Sequence, residues 1–185
     1  ARGVGVTVDD GPSPEGTPQV LDGLSQYGAK ATFFMVGENA ERYPELLARV
    51  REEGHAIGNH TYHHLKGFKT CTSTYLEDVK NAEVILHTFL FRPPHGRMAY
   101  SQKKELRKMG YTIYLWDVLT HDYNPQYDVA HILSVVQRYV RNGSIITFHD
   151  SLKSKDRMLE ALPLVIQWLQ SQGYSLQSLN PKQKQ

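Results

Sequence analysis

Val4-Gly5-Val6-Thr7-Val8-Asp9-Asp10-Gly11-Pro12 decides how the rest of the chain is read. Residues 4–8 have the β-branched composition of a buried strand, and the run ends in a Gly-Pro turn. Two adjacent carboxylates stand at the point where that strand runs out. Side chains alternate across a strand and its immediate exit, so neighbouring aspartates there need not share one task. One can hold a metal while the other handles a proton. Taken alone, Asp-Asp-Gly-Pro reads more readily as a polar turn, because Asp, Gly and Pro are the residues turns favour. Partners elsewhere in the chain decide between the two.

Working outward, strand-like and helix-like segments alternate to the end of the chain. Further strands are expected at 31–36, 56–59, 89–91, 112–116, 144–148 and 175–176. Helical spacing of apolar residues predicts helices over 17–27, from Pro44 to near Gly54, and over 75–87, 101–109, 129–140 and 156–169, with Ser101 as the cap of the fourth. Residues 66–74 read as a polar loop, 117–124 as a polar and aromatic connection, and 180–185 as a frayed tail. The pattern is that of an α/β fold, a single domain over 1–185 with a parallel sheet and roughly seven βα units.

Composition narrows the function classes. With 185 residues, 40% hydrophobic and 22% charged, the chain can bury a substantial core. Its 21 Lys and Arg against 19 Asp and Glu are spread along the sequence, which argues against a nucleic-acid partner. Cys71 is the only cysteine, so no internal disulfide forms, and nothing beside it marks an activated thiol. No apolar run approaches the roughly 20 residues that span a bilayer. Residues 1–3 lead almost directly into the first strand, so a signal peptide or anchor is expected only upstream of them.

The unusual residues cluster by position. Asp9, Asp10, His60, His64, Arg92, Asp122 and His149 all follow predicted strands, and in a parallel barrel those strand ends share the face that carries active sites. Two imidazoles and a carboxylate suit Zn²⁺ and related divalent metals. A helical turn after the third strand would aim His60 and His64 the same way and His63 away from them. In a chain with nine histidines such spacing also arises without a metal. In Arg92-Pro93-Pro94-His95-Gly96 neither proline has an N–H, so the first free amide after Arg92 is that of His95, on a stiffened backbone suited to an oxyanion donor. The segment also reads as a rigid turn with Arg92 on the surface, and His149 as an ordinary core or surface histidine.

Taken in order, Thr7 to Pro12, His60 to His64, Arg92 to Gly96, Trp116 to Tyr123 and Phe148-His149-Asp150 resemble the motifs of the NodB-type polysaccharide deacetylases, carbohydrate esterase family 4. The resemblance implies an irregular (β/α)7 barrel. It implies Asp10, His60 and His64 as ligands of one divalent metal, Zn²⁺ foremost with Co²⁺, Ni²⁺ or Mn²⁺ as alternatives. Asp9 would be the general base oriented by Arg92, and His149 the general acid steadied by Asp122. His95 would supply the oxyanion amide, with Pro94, Tyr123 and Thr147 on the substrate side. The implied reaction removes N-acetyl groups from N-acetylglucosamine units of peptidoglycan, chitin-like chains or an exopolysaccharide. An O-deacetylase such as an acetylxylan esterase, or a silent glycan-binding module, are the alternatives. A monomer working outside the cytoplasm or at the cell envelope is expected. The chain departs from the family pattern at Val8, Leu119, Tyr123 and Thr147, which puts substrate preference in question more than chemistry.

Overall fold

A computed structural model describes residues 2–180. β1 (Arg2–Asp9) lies near the middle of a parallel sheet. To one side stand β2 (Thr32–Met35), β3 (Ala56–Asn59), β4 (Leu90–Phe91) and β5 (Thr112–Ile113), each paired with the last. To the other stand β7 (Ile145–His149) and then β6 (Val118–Leu119). β8 (Tyr174–Leu176) pairs with residues 2–4 of β1, whereas β2 pairs with residues 7–9. β5 and β6 are the two open edges, so the sheet curls as a part-barrel of the irregular (β/α)7 kind.

The register of β1 explains its alternation. Val4, Val6 and Val8 face outward into the main core with Leu21, Leu24, Val165 and Ile166. Thr7 and Asp9, the intervening residues, are buried on the barrel side. Helices cover the outer face: α1 (Thr17–Gln26), α2 (Gly37–Arg42), α3 (Pro44–Glu52), α4 (Thr72–Leu86), α5 (Tyr100–Lys108), α6 (Val129–Tyr139) and α7 (Lys155–Ser171).

Several local expectations are corrected. The segment 60–64 is not a helical turn: it is an irregular loop with Thr61 and His64 in the left-handed region, at φ 62° and 56°. Ser101 lies inside α5 and its hydroxyl pairs with Thr72 instead of capping. Gln102 caps in its place, accepting from the Ala99 amide at 2.8 Å. Residues 66–74 hold a short 3-10 turn (Gly67–Lys69) and the first turn of α4. β5 ends at Ile113, because Tyr114 and Leu115 turn their carbonyls to Arg92. β6 and α2 had no clear sequence signal, being two and six residues long. Of the tail expected to fray, 181–185 lie outside the described residues, and the Asn180 carbonyl accepts from the Tyr114 hydroxyl at 2.8 Å.

Candidate metal centre and catalytic cleft

The strand-end aspartates are separated by the backbone itself. Asp9 is the last residue of β1 and is 2% exposed, with its side chain inside the barrel. Asp10 follows in the left-handed region, φ 79°, which swings its carboxylate away from that of Asp9 toward the loop after β3. The strained turn is held by its own polar bonds: the Asp10 amide donates to Phe34 O at 3.2 Å, and Asn39 Nδ2 donates to Asp10 O at 2.9 Å.

Arg92, at the end of β4, is fully buried, so it is not the surface charge that the sequence also allowed. Nη1 donates to Asp9 Oδ1 at 2.8 Å and to Thr7 Oγ1 at 2.7 Å. Nε and Nη2 donate to the carbonyls of Tyr114 and Leu115. The guanidinium lies over Phe34 and Trp116, 4.3 and 5.4 Å from their ring centres. A buried charge needs such a full set of partners to be tolerated. The carbonyl of Arg92 also accepts from His60 Nδ1 at 2.7 Å, so this one residue fixes both a carboxylate and an imidazole.

Asp10, His60 and His64 offer ligand atoms that all lie within 4.8 Å of one another. His60 Nε2 is 3.4 Å and His64 Nε2 3.2 Å from Asp10 Oδ1. Yet that oxygen is buried and receives no hydrogen bond. A carbonyl can only accept, so the His60 contact to Arg92 O puts the ring hydrogen on Nδ1 and leaves a lone pair on Nε2. An orphan carboxylate oxygen and a lone-pair nitrogen converging on one point are the donor set of a divalent cation.

On the strand next to β1, His149 ends β7 as the register partner of Asp9. Asp122, fully buried, accepts from its ring Nδ1 at 2.8 Å and from its backbone amide at 2.7 Å. Burial disfavours the imidazolium, yet the hydrogen bond and charge of Asp122, with Asp9 and Asp10 behind it, raise the His149 pKa to about 9. Asp150 ties this strand end to the β1 exit. Its amide donates to Asp9 O at 2.8 Å, and its carboxylate accepts from the Ser13 and Thr17 hydroxyls.

Comparison with known proteins agrees with the motifs. The polysaccharide deacetylase family profile matches residues 1–114. A peptidoglycan-N-acetylglucosamine deacetylase of Bacillus cereus is 35% identical over 179 residues, which are 92% of this chain and 83% of that protein. The chain belongs to the polysaccharide deacetylase family. A peptidoglycan-N-acetylmuramic acid deacetylase of Bacillus subtilis is 32% identical over 94% of this chain, which spans only 37% of that longer relative. Among solved structures, a peptidoglycan N-acetylglucosamine deacetylase bound to a hydroxamate superposes with a TM-score of 0.92 at 34% identity, covering 96% of this chain and 86% of that one.

In this polysaccharide deacetylase the sequence-derived residues separate into those that line a cleft and those behind it. A cleft of about 420 Å³ is lined by Asp9, Asp10, His60, His64, His149, His95 and Tyr123. Arg92 and Asp122 stand behind Asp9 and His149. Pro94 is buried and does not line the cleft. Thr147 is buried within the sheet, its hydroxyl 3.2 Å from that of Thr7, and it does not line the cleft either. Four lining residues were not picked as site residues from sequence: Trp116, Leu119, Ser151 and Lys153. Trp116 lies just before β6 and Leu119 ends it, a strand too short to announce which residues face inward. His95 has φ 61° and packs edge-on against His64, with 5.1 Å between ring centres.

Proposed function

We propose that this protein is a metal-dependent hydrolase that removes N-acetyl groups from N-acetylglucosamine units of a cell-wall glycan, peptidoglycan foremost. The observation that carries this reading is one cleft lined by the Asp10–His60–His64 set and by two separately held groups, Asp9 on Arg92 and His149 on Asp122. The peptidoglycan N-acetylglucosamine deacetylases that this chain resembles support the substrate class, and their trade in the cell wall supports work outside the cytoplasm.

A divalent cation held there, Zn²⁺ by the two imidazoles and one carboxylate, supplies a Lewis acid for the acetyl carbonyl and lowers the pKa of water. Asp9 accepts the proton of the attacking water, kept in place by Arg92. The His95 amide, on a segment stiffened by two prolines, donates to the oxygen on which charge develops. His149 is charged at neutral pH by the Asp122 pair and protonates the departing nitrogen, so acetate and a free amino sugar leave. Binding alone would call for neither a buried Arg–Asp pair nor a charged histidine at the cleft.

The test is acetate release from chitin oligomers, peptidoglycan glycan strands and acetylated xylan. Release from the first two, stopped by chelator and restored by Zn²⁺, is expected. Release from xylan alone would make it an O-deacetylase, and no release from any acetylated glycan with metal restored would overturn the enzyme reading.

A further inference from the structure

His149 and Asp122 are not the only histidine–aspartate pair at this end of the barrel. Asp78, on α4 and 6% exposed, accepts from His63 Nδ1 at 2.6 Å through Oδ1. Its Oδ2 accepts from the backbone amides of His63 at 2.9 Å and Tyr62 at 3.0 Å. The layout repeats that of Asp122, where one oxygen takes the ring of His149 and the other takes the amide of the same residue. In each case a buried carboxylate aims an imidazole from the far side. The side chain of His63 is 54% exposed, and Tyr62 packs edge-on against it at 4.6 Å.

His63 is therefore neither a free surface residue nor a cation ligand. It lines a second cleft of about 620 Å³ that shares Asp10, His64, Ser151 and Lys153 with the catalytic cleft. A glycan whose acetamide reaches the Asp10–His60–His64 set would run on into this cleft. Its wall carries Ser13, Asn39 and Tyr43, polar groups that suit sugar hydroxyls. A carboxylate can only accept, so the His63 Nδ1–H donates to Asp78 and the ring turns Nε2 away from it, toward the cleft that His63 lines. Two amides already anchor the loop on Asp78, so shaping the loop does not by itself require an imidazole.

Resting on the glycan-deacetylase reading, we propose that His63 is a substrate-binding residue, held by Asp78, whose Nε2 forms a hydrogen bond with a hydroxyl of the sugar next to the one that is deacetylated. The experiment compares wild type and His63→Ala on N-acetylglucosamine oligomers from two to six sugars and on 4-nitrophenyl acetate, with zinc content measured on both. Every oligomer carries a neighbouring sugar, and the aryl ester carries none. The variant is expected to raise KM about fivefold on each oligomer, the loss of one hydrogen bond, with KM on the aryl ester, kcat and zinc unchanged. No increase on any oligomer, the same increase on the aryl ester, or loss of zinc would overturn it. Failure of the wild type to release acetate from any oligomer would instead sink the deacetylase reading, before any variant is compared.

Discussion

Arg92 shows how much one residue decides at this site. It links Asp9, Thr7, two carbonyls and, through its own carbonyl, His60. Arg92→Met would leave Asp9 buried without its partner, and we predict a loss of about 3–5 kcal/mol of stability in urea unfolding at pH 7. Asp9→Asn keeps the shape and removes the proposed base: turnover should fall by about 10²–10⁴ with zinc content unchanged, whereas Asp10→Ala should lose zinc. Asp9→Asn protein that still turns over at the wild-type rate would refute the base assignment. His149 sets a pH limit. In the acid role proposed above it works only while protonated, so kcat should decline as pH rises through about 9. Asp122→Asn removes the charge that raises this pKa and should move the decline to lower pH. The same raised pKa stabilises the fold fully below the unfolded value near 6.5, and that contribution is lost as pH climbs through about 9.

At the scale of elements, the loops after the strands do the positioning, and their shape depends on the packing beneath them. The His60–His64 loop has two left-handed residues, held by Asp78 from α4 and by Asn59, whose Oδ1 accepts from the Thr61 amide at 2.9 Å. Left-handed backbone at such residues persists only where the surroundings over-determine it. Gly58 in β3 shows the same dependence from below. A Cβ there would stand 2.2 Å from Phe34 Cδ1, and the Phe34 ring supports the guanidinium of Arg92. Gly58→Ala should cost about 1–3 kcal/mol of stability and reduce turnover by displacing Arg92, read from denaturant midpoints and acetate release. A variant as stable and active as wild type would show that Phe34 can yield without moving the site.

For the whole molecule, the cation and the fold should be coupled, because the donor set forms only when β1 and the loop after β3 come together. A ligand that binds only the folded state stabilises it by about 2.7 kcal/mol at a hundredfold excess over its Kd. Chelation should therefore lower Tm by several degrees, reversibly on adding Zn²⁺, and an unchanged Tm across that titration would speak against the site. The sequence by itself determined the alternation of strands and helices, the strand ends that carry Asp9, Asp10, Arg92 and His149, and the family. Those features rest on short-range patterns, the period of apolar residues and turn chemistry, which the chain states locally. Tertiary structure alone decided that the Arg92 which the resemblance paired with Asp9 is fully buried, that Thr147 faces Thr7 within the sheet and not the cleft, and that His63 is aimed by Asp78. Each depends on which residues the curled sheet and its helices bring together, and on left-handed turns such as Asp10 and His64 that remain uncommon even for Asp and His.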